Sequence, residues 1–386
     1  MLSDVLIVGG GVFGVEAALE LHARGATVTI LEPGPLPHPD ASSTDISKLI
    51  RADYGTDVFY AELMEGCLDA WRARNTRFGR PLFHETGLAV LSQRPMDSST
   101  FEGASFETLS ARGHVLERLD EKTIPERLPA WQPGRYVDGY INPRGGWAES
   151  GEVVRALASE ARAAGIQIRE GVRVRPLSGS GPVDGVQTES GERIATSTVV
   201  VAAGAFTPAL VPELGDRLAA VGQPVFHFDP PASAPLTAPR FLPWAADIGT
   251  TGWYGFPVHT GVLKIANHGR GVPVDPAAER LVPASWEPKL RAFLAGALPS
   301  VAEARVVRTR LCLYCDSFDG DFFIDAHPER RGLVVAAGGS GHAFKFAPLL
   351  GKAIADAAEG VPRDRWRRFA WRERSVARSE AARATE

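Results

Sequence analysis

The stretch Asp4–Glu32, DVLIVGGGVFGVEAALELHARGATVTILE, decides the fold. Asp4 to Val8 is a short apolar run of the kind that lies in a buried parallel strand. It runs into Gly9-Gly10-Gly11-Val12-Phe13-Gly14, a GxGxxG spacing set by Gly9, Gly11 and Gly14. Phe13, Ala17 and Leu21 then share one face of a helix, Gly25 is its stop, and a second strand, Ala26 to Leu31, ends at Glu32. Glycines let backbone approach a pyrophosphate, the helix N-terminus offers unpaired N–H groups, and an acid about 20 residues on accepts ribose hydroxyls. A glycine-rich turn in an ordinary α/β fold accounts for the glycines but leaves Glu32 without a task. The motif does not by itself separate NAD from FAD.

The 386 residues exceed the usual size of a single hydrophobic core, which predicts two domains. With 44% hydrophobic and 23% charged residues the composition is globular, and a net charge of -4 argues against a nucleic-acid footprint. Three cysteines, Cys67, Cys312 and Cys315, are too few for a secreted disulfide framework. No apolar run approaches membrane length, and Met1 leads into Val5–Val8 without a basic n-region, so a cytoplasmic enzyme is expected.

The loop Pro33–Ser43 leads to Ser47-Lys48-Leu49-Ile50-Arg51. Lys48 and Arg51 are three apart and share a face on a helical turn, where solvation alone accounts for their charge. A helix is predicted from Val58 to Arg74 and another from Ser150 to Ala164. Between them, from Arg80 to Asp138, short strands such as Gly87–Leu91 alternate with polar helices, the texture of a second domain. Thr198–Gly204 is an apolar strand running into glycine, a second place where backbone reaches a nucleotide unobstructed at Gly204. Trp253–Pro257 and Gly261–His268 read as one hairpin. In its second strand Lys264, Ala266 and His268 face one way by the period of two, and a solvent-facing Lys264 is the plainer account.

The stretch Leu311–Pro348, LCLYCDSFDGDFFIDAHPERRGLVVAAGGSGHAFKFAP, closes the argument. Strand alternation puts Cys312 and Tyr314 on one face, Leu313 and Cys315 on the other. Cys312-Leu313-Tyr314-Cys315 is formally CxxC, but zinc would require a second cysteine pair or a histidine cluster, so no metal is expected; a buried small hydrophobe is the plain account of Cys312. The strands Phe322–Asp325 and Leu333–Ala337 then enter Gly338-Gly339-Ser340-Gly341-His342 and a helix through Leu350, Ile354 and Ala357. This third strand–glycine–helix element can stabilise negative charge.

Taken together, these residues resemble the monomeric sarcosine oxidase and N-methyltryptophan oxidase group of the D-amino-acid-oxidase-like (DAO) FAD-dependent oxidoreductases. Four islands carry the resemblance: Gly9–Gly14 with Glu32; Lys48–Arg51; Gly255-Phe256-Pro257 through Lys264 to His268; and Cys312-Leu313-Tyr314 through Phe323-Ile324-Asp325-Ala326-His327-Pro328 to Gly339–Phe346. The resemblance implies an α/β fold with an α+β second domain, in which a Rossmann-like FAD-binding domain adjoins a mixed-sheet substrate domain. The FAD domain is expected over residues 1–80, 140–215 and 318–375, the substrate domain over 81–139 and 216–317, and a flexible tail over 376–386.

The resemblance also implies roles. Cys312 would carry FAD as an 8α-thioether, and Lys48, Gly204, Gly339, Gly341, His342 and Lys345 would line the cofactor with Gly9, Gly11, Gly14 and Glu32. Arg51 and Lys345 would hold a substrate carboxylate, Tyr314 and His268 would border the substrate, and Lys264 would promote reaction with O2 because superoxide is negatively charged as it forms. The Gly341-His342-Ala343 backbone would stabilise the anionic reduced flavin. The implied reaction takes a hydride equivalent from the carbon beside the amine nitrogen, giving an imine that water hydrolyses, and returns two electrons to O2 as hydrogen peroxide. Two departures stand out: Lys48 replaces a usual arginine, and Cys315 is unusual beside Tyr314. The expected substrate is a small carboxylate-bearing secondary (N-methyl) amino acid, handled by a monomer with no nucleic-acid or membrane partner. Alternatives are an imino-acid (pipecolate-like), glycated-amino-acid or biosynthetic-tailoring amine oxidase or dehydrogenase. An NAD-linked dehydrogenase has no use for a flavin-linked cysteine, and a non-catalytic flavoprotein has no use for Lys264, Arg51 and Lys345 together.

Overall fold

Val5–Val8 forms a strand because all four residues are apolar and flanked on both sides, and it takes the centre of a six-stranded sheet. The structure, a computed structural model, describes residues 4–362, 364–378, 380 and 382–384. Across this sheet the order is Phe323–Ala326, Leu333–Ala337, Thr198–Val201, Val5–Val8, Val28–Glu32, Gln167–Glu170. Every pairing is parallel except that of Phe323–Ala326 with Leu333–Ala337, the hairpin through His327. The helix Val12–Ala23 packs tightly on the sheet because Gly14 has no side chain. A Cβ there would lie 1.9 Å from the Gly9 carbonyl oxygen, which is why the third glycine of the turn is required. The predicted helices are present as Val58–Phe78, capped by Asp57 and stopped by Gly79 in the left-handed region, and Ser150–Ala163.

A second, nine-stranded sheet is built mainly from antiparallel pairs. Its longest ladder joins Leu218–Phe228 to Val306–Ser317, with Leu218 opposite Ser317 and Phe228 opposite Val306. Leu263–Asn267 pairs with both Leu218–Phe228 and Trp253–Gly255, so the expected hairpin is present and sits in mid-sheet. A core of Phe226, Phe241, Trp244, Leu290 and Leu294 backs this sheet.

Two expectations are corrected. Lys48–Ile50 is a short strand paired with Gly146–Ala148, not a helical turn. Residues three apart on a strand fall on opposite faces, and Lys48 is half-buried while Arg51 just beyond is buried. The other concerns residues 376–386, expected as a flexible tail. Glu380, Ala382, Arg383 and Ala384 are buried, held by charge pairs described below; residues 379, 381, 385 and 386 of that range lie outside the described residues. No helix among the described residues is long and apolar enough to cross a membrane.

Candidate active site

At the nucleotide end the glycine turn and Glu32 meet directly. The Gly10 amide donates to Glu32 Oε2 at 2.6 Å and the Val12 amide to Ser43 Oγ at 3.3 Å. Burial raises the Glu32 carboxyl above its usual range, and the Gly10 and Gly34 amides offset part of that. Gly11 faces the loop, where a Cβ would be 3.5 Å from Ser43 Oγ, and a Cβ on Gly204 would meet nothing within 4 Å. Thr44 Oγ1 and Ser47 Oγ are buried without a hydrogen-bond partner, the situation expected of groups that serve a polar ligand. Glycines, acid and orphaned hydroxyls thus fit a dinucleotide such as FAD.

The long strand Val306–Ser317 divides its side chains as alternation requires. Cys312 and Tyr314 pack with Val225 and Ala266, Leu313 packs with Leu311 and Ala205, and Cys315 joins Leu6, Val8 and Phe323 beneath the first sheet. All three cysteines are free thiols, and burial pushes Cys315 up to about 12. Opposite Tyr314 stands Gly341, at φ 77°, where a Cβ would come within 2.1 Å of the tyrosine ring. Only glycine permits both that backbone and that approach. Gly339 O accepts from the amides of His342 and Ala343, so those two donors, expected to face a flavin, are engaged within the turn.

His342 is a neutral ring. Its Nδ1 accepts from Tyr54 at 2.9 Å, its Nε2 donates to Gly320 O at 2.9 Å, and burial with Lys345 nearby brings its pKa to about 3. Lys345 Nζ donates to the Tyr54 hydroxyl at 3.0 Å and to His342 O at 2.8 Å. Arg51 lies over the same Tyr54 ring, Cζ 5.0 Å from its centroid. Arg51 and Lys345 therefore converge on Tyr54. Burial, and next the Arg51 charge, hold Lys345 well below the usual lysine range.

Arg51 is not left unpaired. It donates to the Asp53 carbonyl and binds Glu380 Oε1 at 2.8 Å. His268 Nε2 donates to Glu380 Oε2 at 3.2 Å, and the His268 ring stands 5.8 Å from that of Tyr314. Burial disfavours a charged Glu380, but the Arg51 guanidinium and the His268 hydrogen bond outweigh it and keep the carboxyl well below its usual range. Asp53 itself accepts from Tyr140 at 2.6 Å and from Asn142 at 3.3 Å.

Lys264 is buried, 2% exposed, rather than on a solvent face. Its Nζ binds Asp45 Oδ2 at 2.7 Å and Ser47 O at 2.6 Å, and lies 4.8 Å from the centre of the Phe256 ring. Burial lowers its pKa to about 8 even with Asp45 beside it. Asp45, also buried, stays well below its usual range because Lys264, then His227, outweighs the burial. Lys264, Ala266 and His268 do line one side of their strand, the side that carries Cys312 and Tyr314.

The structure thus gathers Arg51, His268, Tyr314 and Lys345 around Tyr54 and Glu380, with Lys264 on the strand face that carries Cys312 and Tyr314, and Lys48 is half-buried. Sequence reasoning did not single out Asp45, Asp53, Tyr54 or Glu380. The first three sit within the Ser42–Gly55 loop and strand, where a charged residue beside a nucleotide motif was the available signal. Glu380 had none.

A glycine-turned parallel sheet with an acid on its second strand, joined to a mixed sheet, defines the class of nucleotide-dependent α/β enzymes. The chain belongs to the FAD dependent oxidoreductase (DAO) family, whose profile matches residues 4–357. It is 27% identical to monomeric sarcosine oxidase of Bacillus sp. (strain B-0618) over 361 residues, 92% of each chain. It is 28% identical to N-methyl-L-tryptophan oxidase of Salmonella dublin over 365 residues, 93% of this chain and 95% of that one. The fold matches that of the deglycating fructosamine oxidase Amadoriase II from Aspergillus fumigatus with a TM-score of 0.84 at 24% identity, covering 96% of this chain and 89% of that one.

Proposed function

We propose that the chain oxidises the C–N bond of a small carboxylate-bearing secondary (N-methyl) amino acid, passes the electrons to O2 and releases hydrogen peroxide. The observation that carries this reading is the convergence of two buried basic side chains, Arg51 and Lys345, on Tyr54, with Arg51 already bound to a carboxylate. Such a pair binds a planar carboxylate through charge-assisted hydrogen bonds and orients the rest of the molecule. Relatives at 27–28% identity named for sarcosine and N-methyl-L-tryptophan support an N-methylated substrate.

Bound FAD supplies the two-electron chemistry that no side chain here can perform. Gly9, Gly11, Gly14, Glu32, Gly204, Ser47, Lys48, Gly339 and Gly341 would hold it, and Cys312, on the same face as Tyr314, would carry it covalently. Tyr314 and His268 wall the substrate side. Burial lowers the pKa of His268, and its Nε2 donates to the Glu380 carboxylate, the contact it would offer to a substrate anion. Lys264 holds a proton at Nζ beside Asp45 and offers positive charge where O2 gains electrons. The division into an FAD domain (1–80, 140–215, 318–375) and a substrate domain (81–139, 216–317) belongs to the same proposal, as do a monomeric state and a cytoplasmic location.

Acid precipitation tests the attachment and a substrate panel tests the reaction. A yellow pellet that turns colourless in Cys312→Ser, and not in Cys315→Ser, is expected; a colourless wild-type pellet rules out the thioether. Peroxide release from N-methyl amino acids is expected to exceed that from cyclic imino acids, glycated amino acids and amines without a carboxylate. If a carboxylate-free amine is the best substrate, the reading fails.

A further inference from the structure

Residues 373–378 are exposed, whereas the described residues beyond them are buried. Glu380 is 8% exposed, and Ala382, Arg383 and Ala384 are buried. Each Glu380 oxygen is used: Oε1 by Arg51 at 2.8 Å, Oε2 by His268 at 3.2 Å and by the Ala382 amide at 3.1 Å. Arg383 anchors the segment, with both terminal nitrogens on Asp316 at 2.8 and 2.6 Å, Nε on Gly269 O at 2.9 Å, and its guanidinium 5.5 Å from the Tyr314 ring centre. The Ala384 amide donates to His268 O at 3.1 Å, and Ala382 packs against Ala245 and Ile248.

The burial is therefore mainly ionic. Two alanine side chains contribute little apolar area, so the segment is held by what Glu380 and Arg383 meet. A carboxylate entering beside Lys345 needs the same Arg51 nitrogen that Glu380 holds. Exchange of one carboxylate for the other keeps the charge around Arg51 balanced. An amine without a carboxylate offers no such exchange, because displacing Glu380 would leave a buried guanidinium unpaired.

We propose that Glu380 is an internal stand-in for the substrate's carboxylate, seated on Arg51 until a molecule bearing its own carboxylate displaces it, so that a carboxylate becomes the condition of entry. This rests on the carboxylate reading of the site given above. The Arg378 amide donates to Phe318 O at 2.8 Å, so the part of the segment that gives way lies beyond residue 378. Glu380 thereby acts as a specificity-determining residue.

The test uses the FAD-loaded protein and acetate, with binding read from the visible flavin spectrum and without turnover. If Glu380 holds the subsite in nine molecules of ten, its removal tightens acetate by about tenfold, since apparent affinity scales with the fraction of open sites. That gain is expected in Glu380→Ala and in a protein lacking residues 376–386, with a smaller gain in Glu380→Gln. Acetate affinity unchanged or weaker in all three overturns the proposal. Arg51→Met separates it from the reading beneath it. Binding insensitive to Arg51→Met sinks the carboxylate subsite itself, whereas Arg51-dependent binding indifferent to Glu380 sinks only the stand-in. A measurement on the unaltered protein needs no variant to fold: saturating acetate is expected to accelerate tryptic cleavage after Arg383, and N-methylbenzylamine to leave it unchanged. Equal acceleration by both, or by neither, overturns the carboxylate requirement.

Discussion

The two ends of the site are held together by different physics. At the nucleotide end Leu6, Ile7, Val199, Val200 and Val335 are fully buried, and the acid Glu32 meets the Gly10 amide. At the proposed substrate end Arg51, Lys264, His268, Lys345, Asp53 and Glu380 are each at most 8% exposed, and Arg51 and His268 pair with Glu380 while Lys264 pairs with Asp45. The first end rests on apolar burial and on backbone that glycine allows to approach. Its tolerance is steric. The second rests on charge balance, and removing one partner leaves another charge buried without compensation. Substitutions should therefore fall hardest on the charged end.

The sharpest break would come from Arg51→Met. Loss of a buried, doubly used guanidinium should lower kcat/KM for carboxylate-bearing substrates by about 10²–10⁴, the equivalent of ~3–5 kcal/mol. Steady-state kinetics that show less than a tenfold loss, roughly 1.4 kcal/mol, would erase the contrast between the two ends. Next is Lys264→Met, expected to slow reoxidation of the reduced flavin by about 10²–10³ while leaving anaerobic reduction nearly unchanged. The same lysine sets a pH dependence. With a pKa near 8, its cationic share falls as pH rises through that value, so stopped-flow reoxidation in air should slow above it in the wild type and stay flat in the methionine variant. A wild-type profile flat across this range would remove Lys264 from the step.

At the nucleotide end the effects should be smaller. Glu32→Gln keeps shape and loses charge, and about 1–2 kcal/mol of FAD affinity is expected to go with it, read from cofactor retention during dialysis. Cys315→Ala, beneath the first sheet, should move the melting transition by the equivalent of about 0.5–1.5 kcal/mol and leave the flavin content alone. If Cys315→Ala strips the flavin while Cys312→Ser keeps it, the assignment of faces on that strand is reversed.

The nucleotide end was legible because its signals are local. Strand, turn, helix and acid lie within Asp4–Glu32, and the glycine spacing encodes close approach that Gly14 and Gly9 require sterically. Alternation likewise separated Cys312 and Tyr314 from Cys315. At the substrate end the pattern of apolar residues marked Lys264 as unusual without showing its burial, because that depends on Asp45, on a loop far away in the chain. Lys48 and Arg51 were misplaced on a helical turn because a three-residue strand has too few positions to show a period. Glu380 was silent for the plainest reason: its partner Arg51 is 329 positions away, and nothing near it in sequence distinguishes it from a solvated acid.

The strand Val306–Ser317 is shared property. Cys315 is packed into the core of the first sheet, its carbonyl bonded to the Ser340 amide at 2.9 Å, while Cys312 and Tyr314 belong to the second. A scissor-like opening of the two halves would drag this one rigid beam out of both cores together, against close packing on each side. Traffic into the reaction site must then pass by way of peripheral pieces of chain, with the two sheets acting as a fixed frame.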